Sequence, residues 1–133
     1  IAPIRKFLQA GLRVALGSDV AAGHHLSIFR VMQYAVQMSK LQYALSDGKY
    51  PFLTLSEVFH MATKQGGSFF GKVGSFEVGY AFDALVIDDS DSNDMFPQMN
   101  CQQRLERFIY LGDDRHIQHR FCQGKEISFN AKH

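Results

Sequence analysis

What this 133-residue chain lacks narrows it first. It has two cysteines, Cys101 and Cys122, and neither belongs to a CxxC, so no disulfide framework is available. Neither charge dominates: 14 Lys+Arg stand against 13 Asp+Glu, which leaves no electrostatic footprint for nucleic acid or an anionic membrane. No apolar run approaches the length of a bilayer span, and the first residues lack a signal-peptide h-region. Internal repeats and low-complexity tracts are missing too. A reduced, cytoplasmic setting, with neither nucleic acid nor membrane as partner, is the expectation these absences set. The chain opens on Ile1 and enters a helical pattern within three residues, which reads as a cut through a larger protein.

What is present is core-forming sequence, 46% apolar and 13% aromatic. In "PIRKFLQAG", Pro3 stands at the first helical position, Ile4, Phe7 and Leu8 share a face, and Gly11 is the stop. "LRVALG" follows, with Leu12, Val14 and Leu16 alternating and Ala15 apolar too, which predicts a strand covered on both faces. Ser27 is placed to cap a helix with Ile28, Val31, Met32, Ala35 and Met38 on one side; Arg30, Gln33, Gln37 and Lys40 fall on the other. After the turn-rich "SDGKYPF", Thr54 and Glu57 of "TLSE" form a capping box ahead of Val58, Phe59 and Ala62, and Gly66-Gly67 closes that helix. This order of helix, strand, loop and helix is the rhythm of a parallel α/β fold.

From Val73 the character changes. Closely spaced glycines lead to a strand over Ala84 to Ile87, and "DDSDSNDMFPQMN" is a polar loop. "RLERFIYLG" has Leu105, Phe108 and Ile109 at helical spacing, and "IQHRFCQGKEIS" predicts two strands about a Gln123-Gly124 turn. Two zones result, residues 1–71 and 72–133. The first has three helices and one strand, and that strand has no parallel neighbour of its own to pair with.

The chemistry concentrates in "VALGSDVAAGHHLS", where an apolar strand ends at Asp19 and runs into a Gly/His-rich loop. On residue type alone, Asp19 is either a turn residue, closing the loop through its side-chain oxygen, or a metal-binding carboxylate at a strand's carboxyl end. His24 and His25 read as solvated loop residues or as ligands, and His60 as a packed or boundary residue. His116 and His119 would not share a face near a strand, so both read as surface. Asp83 reads as a hydrogen-bonded turn residue at a strand start, and Asp113 and Asp114 as turn and helix-end residues. Met32, Met38 and Met61 lie at core spacing.

"LRVALGSDVAAG", "LTLSEVFHMATKQGGSFFG" and "VGSFEVGYAFDALVID" together resemble the last barrel strand, the following helix and the return to the small sheet domain of the amidohydrolase superfamily. Within it, "GSDVAAG", "FDALVID" and "FIYLGDDRHIQHRFCQGKEI" are similar to the guanine deaminases. Ser18 stands where threonine is usual, and His24-His25 replaces a Tyr-Ser pair.

The resemblance implies an α/β fold: the carboxyl-terminal part of a (β/α)₈ TIM barrel of the metal-dependent hydrolase type over 1–71, and part of a composite β-sandwich over 72–133. It further implies one Zn²⁺, with Asp19 as metal ligand and catalytic base, guanine as substrate giving xanthine and ammonia, and a homodimer. In such enzymes a His-x-His, later histidines and a proton-shuttling glutamate precede this region, and none of them occurs here. A barrel takes about 250 residues, so this chain would supply its last part and be inactive alone. The competing readings are a piece of another amidohydrolase, such as a chlorohydrolase or other nucleobase deaminase, and a non-catalytic interaction or oligomerisation module.

Overall fold

A computed structural model describes residues 1–23, 25–90 and 98–128. The chain divides into two compact units, Ile1–Gly71 and Lys72–His133. Most of the expected polar loop, residues 91–97, lies outside the described residues.

The first unit is helical. α1 (Ile4–Gln9) follows Pro3, which is its N-cap and not its first helical residue. It ends in a Schellman motif: the Leu12 N–H donates to Phe7 O and the Gly11 N–H to Leu8 O. Gly11 takes a φ of +76° there, a conformation that favours glycine. α2 (Ile28–Leu45) begins after Ser27, whose side chain makes no capping hydrogen bond. Its buried face is Met32, Gln33, Val36 and Ser39. The burial stripe is thus rotated from the expected one: Gln33 is inside, with its Oε1 accepting from Arg30 Nη1 at 3.1 Å, and Met38 is exposed. Ser39 explains part of that rotation. Its hydroxyl donates to Val36 O and accepts from the Leu53 N–H at 2.9 Å, pinning the following connection onto α2.

α3 (Leu55–His60) starts with the expected capping box, Thr54 and Glu57 each serving the other's backbone N–H. It runs without a break into a π-helical turn, Met61–Gln65, that periodicity gave no sign of. Met32, Val36, Leu53, Val58 and Met61 are this unit's buried apolar residues.

The strand expected over Leu12–Leu16 does not form. The reason is the one its pattern raised: a covered parallel strand needs ladder partners on both sides, and the described residues of this unit offer none. Only an isolated bridge, Val20 with Gly23, appears nearby.

In the second unit β1 (Ala84–Ile87), β2 (Ile117–Cys122) and β3 (Lys125–Glu126) form an antiparallel sheet in that order. Ala84 pairs with Phe121 and Val86 with His119, while Ile87 pairs with Ile117, so Gln118 is bulged. Gln123 and Gly124 carry φ of +50° and +78°, as a two-residue type I′ turn requires. α4 (Cys101–Leu111) is capped by Asn100 and Gln103 and buries Phe108 and Ile109. A side chain at Gly112 would run into the Phe108 ring, so only glycine lets that ring fold over the helix end. A short 3₁₀ turn, Asp114–His116, leads into β2.

Candidate functional site

Asp19 stands at the end of the unpaired segment, on the surface, with a φ of +46°. The loop after it is closed by backbone alone: the Asp19 carbonyl accepts from Ala22 N–H at 3.0 Å and from Gly23 N–H. Ala21 takes a φ of +100°, a conformation L-residues rarely adopt. Gly23 has no room for a Cβ, which would sit on the Ser18 carbonyl oxygen. The chain therefore turns back tightly on Ser18 and Asp19 while the Asp19 carboxylate takes no part in the turn. Among the described residues that carboxylate has no hydrogen-bond or ion-pair partner. The side-chain capping role that Asp residues often take in loops is thus not used here.

Two contacts hold this segment from behind. The Leu16 N–H donates to Met61 O, the first carbonyl of the π-helical turn, at 3.3 Å. Ala15 lies against Gly66 at the other end of that turn. His25 is exposed and its ring stacks on Tyr34 of α2, with centroids 6.2 Å apart. His24 lies outside the described residues.

The remaining candidate residues are not gathered at Asp19. His60 is exposed, and the boundary role expected of it is not what the structure shows. His116 is packed edge-on to Phe108, and its Nδ1 accepts from the Asp113 N–H at 3.2 Å. His119, on β2, has its Nδ1 2.5 Å from Glu126 Oε1 across the hairpin. Asp83 accepts from the Gln123 N–H at 2.7 Å and so holds the β2–β3 turn. Asp113 caps the 3₁₀ turn; hydrogen bonds from Arg115 hold its carboxyl well below the usual range. Cys101 and Cys122 are free and exposed. No group of three or more His, Cys, Asp or Glu side chains able to hold a metal exists among the described residues.

One polar cluster escaped the sequence reading. Asp89, just past β1, is buried and accepts from Arg104 Nε at 2.9 Å and Nη2 at 2.5 Å, and from Arg107 Nη2 at 2.9 Å. The Arg104 bonds, chiefly, hold its carboxyl below the ordinary range. Asp89 and Arg107 also line a small pocket with Phe108 and His116. The available signal was Arg104 and Arg107, three apart and so on one face of a helix that follows an acid-ended strand. Both carboxylate oxygens and the backbone carbonyl of Asp89 accept hydrogen bonds from the two arginines, which marks it as structural.

The amidohydrolase family model matches residues 1–127. Guanine deaminase of Dictyostelium discoideum is 34% identical over 132 residues, covering 95% of this chain and 29% of its own. Probable guanine deaminase of Schizosaccharomyces pombe is 34% identical over 136 residues, 96% of this chain and 26% of its own. A crystal structure of guanine deaminase from C. acetobutylicum, with bound guanine in the active site, is similar at a TM-score of 0.88 and 57% identity; the match covers 95% of this chain and 30% of that one. The chain thus spans less than a third of the length of these relatives.

Proposed function

The chain belongs to the amidohydrolase family, and we propose that it is the carboxyl-terminal part of a guanine deaminase. The observation that carries this reading is the 57% identity to a guanine deaminase whose structure holds guanine. In the whole protein, residues 1–71 are the last βα units of the barrel, and the unpaired segment ending at Asp19 gains its neighbours there. Residues 72–133 are part of the composite sandwich domain. The whole protein is a homodimer of the cytoplasm.

The reaction is hydrolytic. Water adds to the guanine carbon that bears the exocyclic amine, ammonia leaves, and xanthine remains. Asp19 is the residue of this chain that takes part, and its carboxylate, exposed and without a partner among the described residues, supports that role. It fits one Zn²⁺ as a single oxygen ligand, but zinc takes three or four protein ligands, and the described residues complete no such set. The other ligands then come from the rest of the protein. When bound, the ion supplies a water acidic enough to ionise near neutral pH. Asp19 would accept the proton of the attacking water.

The test is to incubate the full-length protein with guanine and follow both products. Xanthine and ammonia appearing in equal amounts is the expected result. No turnover of guanine, with another nucleobase or a chlorinated heterocycle turned over in its place, would reject guanine as the substrate. This chain by itself is expected to release no ammonia at an enzymatic rate.

A further inference from the structure

We propose that the backbone turn over residues 18–23 fixes the direction of the Asp19 carboxylate, with Gly23 and Ala21 as positioning residues; the inference rests on the role given to Asp19 above. Asp19 has a φ of +46°, in the left-handed region that aspartate enters more readily than most residues. A residue there leaves the side-to-side alternation of an extended chain, so the turn that holds it sets where its side chain points. The hold is on its carbonyl. Asp19 O accepts from the Ala22 N–H at 3.0 Å and from the Gly23 N–H, two donors on one acceptor. Both bonds lie inside the loop, so they stand whatever strands the rest of the protein places beside it.

Two neighbours bear the cost of that closure. Ala21 is held at a φ of +100°, where an L-residue is strained, and alanine has no side-chain oxygen to ease it by a local hydrogen bond. Gly23 is required by space. A Cβ there would fall on the Ser18 carbonyl oxygen and lie 2.9 Å from Asp19 O. Both obstacles are backbone atoms, which cannot swing aside as the end of a long side chain can. Any side chain at Gly23 therefore pushes directly on the backbone that carries the carboxylate. A strained backbone that its own contacts over-determine is the pattern of a preorganised site. Here it lies at the residue whose carboxylate has to meet a metal ion and an attacking water.

Gly23→Ala in the full-length protein separates this role from a merely structural one. The expected result is a kcat for guanine about a hundredfold lower, a KM within about threefold and a Tm within about 4 °C of wild type. Zinc affinity, measured by competition with a chelating dye, falls about tenfold. Ala21→Val opposes the same turn from a second residue without pressing on Ser18, because a β-branched side chain is disfavoured at positive φ. Its kcat should fall about tenfold, and zinc affinity should fall with it. If Gly23→Ala accumulates too poorly to assay, Ala21→Val decides. A folded variant whose kcat and zinc affinity both stay within about twofold of wild type overturns the proposal, as does one that loses only Tm. Asp19→Ala assayed in parallel tells the two failures apart. An active Asp19→Ala enzyme removes the reading of Asp19, whereas an inactive one beside an unimpaired Gly23→Ala enzyme removes only the positioning role.

Discussion

Arg5 and Glu57 meet in a two-pronged ion pair, with Nη1–Oε1 at 2.7 Å and Nη2–Oε2 at 3.0 Å. The same Glu57 closes the α3 capping box by accepting from the Thr54 N–H at 2.7 Å. Arg5 also donates to the carbonyls of Pro51 and Phe52. One pair thus ties α1 to the start of α3.

A pH dependence follows from it. The Arg5 hydrogen bonds, with help from Thr54, bring the Glu57 carboxyl down to about 2 from 4.5. A depressed folded-state value means the stabilisation is full above pH 4.5 and is lost as pH falls toward about 2. Glu57→Gln should flatten that limb in urea denaturation across the same range. Arg5→Ala should cost about 1 kcal/mol at neutral pH, the scale of a bidentate pair still partly screened by solvent.

At Asp89 the order of effects is the prediction. Asp89→Asn leaves the buried Arg107 without its counter-charge and should destabilise by about 3 kcal/mol. Arg104→Ala removes a half-exposed partner while Arg107 remains, and should cost about 1 kcal/mol. Chemical denaturation of the two variants checks the order, and equal losses would contradict it.

The β2–β3 turn should be improvable. Gln123 holds a φ of +50°, where a long side chain is disfavoured and asparagine is favoured. Gln123→Asn should stabilise by about 0.5 kcal/mol, read as a rise in Tm. Asp83→Ala should act in the opposite sense, because it leaves the Gln123 N–H without its acceptor.

Local rules carried much of this fold. The Thr54–Glu57 box, the β1 span and the Gln123-Gly124 hairpin all depend on residues within a few positions of each other, and each formed as its pattern predicts. Three features did not yield to such reading. The segment Leu12–Leu16 has a strand's pattern, but a ladder needs partners that the pattern cannot supply. Gln33 turned inward because Ser39 and Leu53 fix the connection over that face of α2, a tertiary effect. The Asp89 cluster joins residues 15 and 18 apart, across residues where no periodicity links them. Asp19 stood out through its family resemblance, while its exposure and the backbone-only closure of the loop after it came only with the structure.

The measurement that bears most directly on the central claim is guanine turnover by full-length Asp19→Ala, with its fold checked by circular dichroism. If Asp19 has the proposed roles of proton acceptor and metal ligand, kcat falls by about a thousandfold or more with the fold retained. A variant that keeps its rate to within about tenfold would contradict that role, because the reaction would then run without this carboxylate.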